Sequence, residues 1–200
     1  AKVNAAMKKI KAEKEPEART RLAREVALPI RKELVAGVSD VHRYLLATVT
    51  TNGGMGNVTN WQQHIIPTLL AEPDQELVEI LDQDLPAEAM PSKTYDGPLR
   101  LFVPTVRTSL SPGEDLKLKA IILTTDKPKE ATLYWRAMGK GRYKRIPLSH
   151  TARGVYFARI PAGAIENDLE YYIKASSTDG REAIFPATAP DIGQTIVMME

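Results

Sequence analysis

The spacing of apolar residues changes near residue 98, and this change limits the chain to a two-part fold. Before that point, apolar residues recur every three or four positions, which is the period of an amphipathic helix. After it, they alternate with polar residues, which is the period of a strand with one buried face. The sequence therefore predicts an α+β protein: a helical segment over residues 1–82, a linker or strap over 83–97 and a β-sandwich over 98–200.

The helical segment contains one long apolar stripe, which needs a partner surface to cover it. Its members are Leu22, Val26, Ile30, Leu34, Val38, Val41, Leu45 and Val49. We expect a helix to start near Glu17 and to break or kink at Pro29, because proline suits a first turn but costs about 3 kcal/mol in a helix interior. Residues 2–15 are mostly Lys, Glu and Ala, which predicts an exposed helix or a frayed arm.

A glycine-rich loop is predicted at residues 50–57. Gly53, Gly54 and Gly56 lie close together there, and such a cluster favours positive φ or close backbone approach. Helices are expected after it at residues 59–70 and 73–81, the second beginning with a proline at a first-turn position.

Seven strand-like runs follow Pro98, separated by glycine and proline turn signals. They are residues 99–106, 116–122, 131–137, 142–148, 154–160, 169–176 and 182–186. Short strands at this spacing predict an antiparallel β-sandwich.

Composition excludes several classes of function. The 200 residues include no cysteine, so disulfides, thiolate metal sites and cysteine nucleophiles are absent from the sequence. The formal charge of +2 argues against nucleic acid or an anionic membrane as a partner, and no apolar run reaches the roughly 18–20 residues of a membrane helix. Charge is unevenly spread: residues 1–50 hold eleven basic and six acidic residues, whereas residues 51–97 hold one and eight.

The β half resembles the fibronectin-III or immunoglobulin-like modules found at the C-termini of bacterial secreted and carbohydrate-active enzymes. Trp135 lies where such a fold places its buried strand-C tryptophan, and Tyr171 lies where it uses a tyrosine corner. The runs 154–161 and 169–175, followed by Asp179-Gly180, carry the rest of the likeness. The resemblance implies an immunoglobulin/fibronectin-III-like sandwich that serves as a spacer, a packing partner or a glycan binder.

The segment 48–64 is similar to the end of the catalytic region in large bacterial glycoside hydrolases. This resemblance implies that the chain is the C-terminal piece of an extracytoplasmic, periplasmic or secreted, polysaccharide-degrading enzyme. Its expected partners are the remainder of that enzyme chain and a polysaccharide. No catalytic residue and no cofactor are implied for these 200 residues.

One group of candidate ligand-binding residues follows the glycine cluster: Asn57, Asn60, Trp61, Gln62 and His64. Amide and imidazole groups suit sugar hydroxyls, and the indole offers a flat face on which a pyranose ring stacks. The alternative is structural, with the tryptophan as a core anchor and Asn57 or Thr59 as a helix cap.

A second candidate surface interleaves aromatic and basic residues. If they lie on adjacent strands, Tyr134, Arg136, Tyr143 and Arg145 form an exposed face for a glycan or a partner chain. Ordinary cross-strand pairing explains the same residues.

Other chemistries lack their motifs. His42, His64 and His150 have no metal-ligand spacing, and no phosphate-binding glycine loop follows a predicted strand. The acidic stretch Glu72, Asp74, Glu76, Glu79, Asp82 and Asp84 has the carboxylates that a glycosidase pair needs, but its setting indicates a solvated face.

Three hypotheses remain. In the first, the chain is a non-catalytic accessory region that braces the catalytic part of a polysaccharide-degrading enzyme. In the second, it is a glycan-binding or adhesion module that uses Trp61 and its neighbours, or the face of Tyr134 and Tyr143. In the third, the helical segment completes a glycosidase catalytic domain and contributes Asn60 or His64 to its active site.

Overall fold

The computed structural model describes residues 2–92 and 94–199. They form two compact units, a helical unit of residues 2–49 and 53–92 and a β unit of residues 50–52 and 94–199. The predicted fold class, a helical segment followed by an immunoglobulin-like sandwich, is confirmed by the elements described below.

The helical unit consists of five α-helices, two π-turns and a short 3-10 helix in its described part. The helices are α1 (Lys2–Ala12), α2 (Pro16–Leu22), α3 (Leu28–Thr48), α4 (Asn52–Asn60) and α5 (Ile66–Leu81). The first π-turn (Ala23–Ala27) joins α2 to α3, the second (Trp61–Ile65) joins α4 to α5, and the 3-10 helix is Ala87–Ala89. Two continuous helical runs, 16–48 and 52–81, therefore dominate the unit.

Each π-turn lies just ahead of a proline. The Leu28 N–H bonds to the Ala23 carbonyl before Pro29, and the Ile66 N–H bonds to the Trp61 carbonyl before Pro67. The wider turn accommodates a residue that lacks an N–H and whose ring crowds the preceding turn. The helix begins at Pro16, beside the predicted start at Glu17, and the predicted break or kink at Pro29 takes the form of this π-turn rather than of a break.

The predicted glycine loop is also wrong. Gly53, Gly54 and Gly56 lie in α4, and the separately predicted helices 59–70 and 73–81 are parts of the same run. Glycine permits positive φ but does not require it, and its helix penalty of about 1 kcal/mol is modest. The buried face farther along the run, formed by Ile66, Leu70, Leu77 and Leu81, stabilises the helix as a whole.

The core of the helical unit includes a helix that was predicted to be exposed. Val3, Ala6, Met7 and Ile10 of α1 are buried at the spacing of one helical face, which corrects the expectation of an exposed or frayed segment. They pack in one cluster with Ala23, Ala27, Leu77 and Leu81. The apolar face was not recognised in the sequence because lysines lie between and beside these four residues.

A buried ion pair joins the two long helical runs. The Arg31 side chain is 0% exposed, and its Nε and Nη2 donate to Asp74 Oδ1 and Oδ2 at 2.6 and 2.8 Å. The acidic stretch was expected to be solvated, yet Asp74 serves this pair and Glu76 Oε1 lies 2.6 Å from Lys11 Nζ. Two of its carboxylates thus hold helices together.

The β unit is a two-sheet sandwich of ten strands in its described part. They are β1 (Arg100–Phe102), β2 (Ser109–Leu110), β3 (Leu116–Leu123), β4 (Glu130–Ala137), β5 (Lys144–Pro147), β6 (Ser149–Ala152), β7 (Val155–Ile160), β8 (Leu169–Ser176), β9 (Glu182–Phe185) and β10 (Gln194–Met198). One sheet has the order β1-β3-β7-β6, and the other has β2-β10-β8-β4-β5 with β9 also on β8.

This order is that of an immunoglobulin-like fold, with strands A, B, E and D in one sheet and G, F, C and C′ in the other. All pairings are antiparallel among the described strands except β2 with β10, which is parallel. Sequence patterning missed three strands. The strand β2 has only two residues, β6 is exposed along its whole length, and β10 follows a proline-rich interruption.

Trp135 lies in the sandwich core as predicted, with Leu118 and Ile160 from one sheet and Tyr171 and Ile173 from the other. Tyr171 is also fully buried, but its hydroxyl has no hydrogen-bond partner among the described residues. The resemblance placed a tyrosine corner here, and the hydrogen bond that defines it is missing. Burial raises the pKa of Tyr171 well above its usual value.

The first prediction concerns the Arg31–Asp74 pair. Asp74→Ala leaves a fully buried guanidinium without its carboxylate and should destabilise the helical unit by about 3 kcal/mol, measured by urea unfolding followed by helical circular dichroism. Asp40→Ala removes the exposed partner of Arg43 and should change stability by less than about 1 kcal/mol. Equal effects of the two substitutions would contradict a special role for the buried pair.

The second prediction concerns the unpartnered hydroxyl. Tyr171→Phe should stabilise the β unit by about 1 kcal/mol, because it removes a buried polar group with no hydrogen bond. A true tyrosine corner would instead lose stability on this change.

The same substitution has a pH signature. Since the folded pKa of Tyr171 lies above the unfolded value near 10, wild-type stability should fall as pH rises above 10, and this part of the fall should be smaller in Tyr171→Phe. Below pH 10 the difference between the two proteins should not depend on pH. Thermal denaturation at a series of pH values measures it.

Candidate functional site

The five predicted ligand-binding residues lie along one helical run and do not enclose a polar pocket. Asn57 and Asn60 are in α4, and Trp61, Gln62 and His64 are in the second π-turn. Asn57, Asn60 and His64 are exposed, whereas Trp61 and Gln62 are half-buried. Trp61 lines an apolar groove, and the lining drawn from the described residues includes none of the other four. The predicted group is thus divided between a helix surface and a groove.

The groove lies within the helical unit and has a volume of about 630 Å³. Its apolar walls come from α3 on one side and from the second π-turn and α5 on the other. They include Ile30, Leu34, Val38, Val41, Trp61, Ile66, Leu69, Leu70 and Pro73, and Val3 of α1 also lines the groove. Ligand sites commonly have this size and this apolar character.

Large apolar side chains in the groove remain in contact with solvent. Leu34 is 38% exposed, Val41 45% and Leu69 70%. Leu34 and Val41 belong to the apolar stripe predicted from the sequence, so part of that stripe is left uncovered within this unit. Apolar surface concentrated in this way marks an interaction site more often than a scattered exposed leucine does.

Polar groups are few in the groove and partly paired. Lys2 Nζ lies 3.2 Å from Glu33 Oε1, and both residues line the groove with Asn4. Gly37 also lines it, and a Cβ added there would meet no atom within 4 Å. A side chain added at position 37 therefore has open space at its Cβ, on the lining of the groove.

A second surface lies on the outer side of the six-stranded sheet. Tyr134 of β4 stacks on Tyr172 of β8 with ring centroids 4.6 Å apart and planes at 4°. The ring of Tyr143 meets Tyr172 edge-on, with centroids 4.9 Å apart. We name these three residues the tyrosine ladder.

Arginine guanidinium groups flank the tyrosine ladder. Arg145 Cζ lies 5.3 Å from the centre of the Tyr134 ring, and Arg136 Cζ lies 4.3 Å from that of Tyr143. The structure thus brings together all four residues of the second candidate surface, Tyr134, Arg136, Tyr143 and Arg145. Cross-strand pairing is also present, since Tyr134 is directly opposite both Arg145 and Tyr172.

The tyrosine ladder cannot act as a simple stacking surface for a sugar. Because β4 lies between β8 and β5, Tyr172 covers one face of the Tyr134 ring and Arg145 approaches the other. Burial, and then the neighbouring tyrosines, raise the pKa of the Tyr172 hydroxyl above its usual value. The surface offers hydroxyl and guanidinium groups rather than open ring faces.

Tyr172 was missed at the sequence level, although the sequence contains its signal. In a strand, neighbouring side chains point to opposite faces, so a buried Tyr171 places Tyr172 on the outer face. The pairing of β4 with β8 then decides that it meets Tyr134. The contact between Tyr172 and Tyr134 therefore depends on the register of the two strands, which the sequence does not give.

The histidines lie in three separate places. His42 is in α3, His64 in the second π-turn, and His150 in β6, where its Nε2 lies 2.7 Å from the Arg153 carbonyl oxygen. Within residues 2–92 and 94–199, no three or more His, Cys, Asp or Glu side chains form a group that could hold a metal ion. None of the described helices is long and apolar enough to cross a bilayer.

Comparison with protein-family models and with curated protein sequences finds no match. Among solved structures, the chain is similar to the titin M3 domain, with 14% identity and a TM-score of 0.35 over 52% of this chain and 100% of that one. It is also similar to the M1 domain of titin (13% identity, TM-score 0.31, 52% of this chain and 94% of that chain). A third similar structure is murine CRIg (13%, TM-score 0.31, 51% and 97%). The strand order and register establish the sandwich fold independently of these similarities.

The third prediction tests whether the groove is open to a ligand. Wild-type protein should enhance the fluorescence of 1-anilinonaphthalene-8-sulfonate, and Gly37→Leu should reduce this enhancement by at least half because the new side chain occupies the groove. Gly163→Leu is the matched control, since a Cβ at this glycine of the β unit also meets no atom within 4 Å. Equal fluorescence from the three proteins would contradict an accessible groove.

Proposed function

We propose that this chain is a non-catalytic accessory region of a bacterial extracytoplasmic polysaccharide-degrading enzyme. In this proposal the helical unit packs against the catalytic part of that enzyme through its apolar groove. The resemblance of segment 48–64 to the end of glycoside hydrolase catalytic regions suggests the partner. The uncovered groove between α3 and α5 is the observation that carries the proposal.

The groove supports docking on energetic grounds. Leu34, Val41 and Leu69 are more than one-third exposed, and fully burying a large aliphatic side chain contributes about 1.5–3 kcal/mol. A domain surface that covers them would complete the amphipathic pattern of the long helix. The Lys2–Glu33 pair at the groove supplies a polar contact beside this apolar centre.

The engagement of the carboxylates supports a non-catalytic role. Asp74 is held by Arg31, Glu170 by Arg136 and Asp115 by Arg159, each at 2.6 or 2.7 Å. Glycoside hydrolysis instead needs two carboxylates facing a shared substrate cleft. In each of these three cases an arginine within the same unit holds the carboxylate in an ion pair.

A second candidate function is glycan binding by α4 and the second π-turn. The exposure of Asn57, Asn60 and His64 favours it, because these side chains are free to meet sugar hydroxyls. Isothermal titration with oligosaccharides tests it: affinity unchanged by the double substitution Asn60→Ala/His64→Ala would remove this candidate.

The fourth prediction tests the accessory role. The DNA preceding the Ala1 codon should encode a catalytic region in the same reading frame, and the purified chain alone should release no reducing ends from a panel of polysaccharides. A start codon directly before Ala1 would overturn the proposal. Release of reducing ends above that of a heat-denatured sample would overturn the non-catalytic assignment.

The docking step is tested with that catalytic region, produced separately and titrated with this chain. Leu69→Asp should weaken binding at least tenfold, because a carboxylate then replaces an apolar contact in the groove. Ile192→Asp is the matched control in the β unit, since Ile192 is 66% exposed and Leu69 70%. Equal weakening by both substitutions would sink the assignment of the groove as the docking surface.

A further inference from the structure

The hairpin between β4 and β5 carries cations without carboxylate partners. Lys140, Arg142 and Arg145 are all exposed, and none has an ion pair among the described residues. No acidic residue lies between Ala137 and Arg145. Unpaired positive charge is therefore concentrated at one edge of the outer sheet face.

Neighbouring cations on the same face are neutralised. Arg136 Nε lies 2.7 Å from Glu170 Oε1, and Lys174 Nζ lies 2.7 Å from Glu182 Oε1. The contrast separates two roles on one surface. The paired cations hold the sheet and hairpin, and the unpaired ones face solvent.

The contacts of Glu170 and Arg136 fix the position of the hairpin. The Gly139 N–H donates to Glu170 Oε1 at 3.1 Å, and Arg136 Nη1 donates to the Gly141 carbonyl at 3.1 Å. The Lys140 N–H closes the turn on the Ala137 carbonyl at 3.0 Å. The cations thus project from a backbone that is already ordered, which lowers the entropy lost on binding.

Arg145 is held in place by the tyrosine ladder. Its guanidinium lies over the Tyr134 ring, and that ring is supported from behind by Tyr172. A stacked guanidinium keeps the N–H groups at its edge available for the bidentate recognition of carboxylate or sulfate groups. The ladder positions the arginine, and the arginine meets the anion.

We propose that Arg145 and the hairpin cations Lys140 and Arg142 bind an acidic polysaccharide, one whose sugars carry carboxylate or sulfate groups. The choice of a polysaccharide rests on the proposed function, whereas the choice of an acidic one rests on the unpaired cations. Single-stranded nucleic acid is disfavoured because base recognition uses open aromatic faces, and both faces of Tyr134 are covered.

The fifth prediction tests this site with the whole chain at low ionic strength, by isothermal titration with polygalacturonate, dextran sulfate, uncharged dextran and oligo(dT). At least one acidic polysaccharide should bind, uncharged dextran should not, and added salt should weaken the binding. The double substitution Arg142→Gln/Arg145→Gln should weaken it at least tenfold. Lys117→Gln/Lys127→Gln removes two exposed charges elsewhere on the β unit and should change affinity less than twofold.

Substitution of Tyr134 tests the positioning step without changing charge. Tyr134→Leu should weaken binding several-fold, and Tyr134→Phe, which keeps the ring under Arg145, should restore it. If Tyr134→Phe is as weak as Tyr134→Leu while both remain folded by circular dichroism, Tyr134 does not act by positioning Arg145.

Three results would overturn the proposal: no binding of either acidic polysaccharide, equal weakening by the control pair, or binding of oligo(dT) through Arg142 and Arg145 as tight as that of the polysaccharides. Failure of the accessory role is distinguishable, because Leu69→Asp should leave polysaccharide affinity unchanged. Absence of docking by the wild-type chain, with polysaccharide binding retained, therefore counts against the proposed function alone.

Discussion

The buried ion pair between Arg31 and Asp74 is the contact on which the helical unit depends. A guanidinium that is 0% exposed requires a carboxylate, and Asp74 reaches it from the other long helical run with two hydrogen bonds. The pair holds α3 and α5 in a definite relation. Beside it, the groove lined by described residues of α3 and α5 leaves Leu34 and Leu69 exposed to solvent. The helical unit thus combines an ion pair that fixes two helices with an apolar groove that is open to solvent.

On the outer face of the six-stranded sheet, cations with a carboxylate partner lie beside cations without one. Glu170 neutralises Arg136 and anchors Gly139, and this arrangement orders the hairpin that carries unpaired cations. The tyrosine ladder then supports Arg145 by stacking. Structural and recognition roles therefore fall to neighbouring residues of the same type, and the presence or absence of a carboxylate partner separates them.

Much of the β unit could be predicted from the sequence, because a strand with one buried face alternates apolar and polar residues whichever strands it pairs with. The runs around β3, β4, β7 and β8 were predicted on that basis, and Trp135 was placed in the core. The strands β2, β6 and β10 were not, because β2 has two residues, β6 is exposed along its whole length and β10 follows a proline-rich interruption. In the helical half, local rules for glycine predicted a loop, and those for proline a break or kink. The glycines lie in α4 instead, and π-turns before Pro29 and Pro67 keep both helical runs continuous.

The sequence by itself determined the two periods, the division of the chain into helical and β parts, and the residue types available for recognition. Only the tertiary structure decided which of those residues meet. The stacking of Tyr172 on Tyr134 depends on strand register, the pairing of Arg31 with Asp74 joins residues far apart in the chain, and the groove beside Trp61 exists because two helical runs leave it uncovered. Periodicity is a local property of neighbouring side chains, whereas register and helix packing are set by contacts between distant segments.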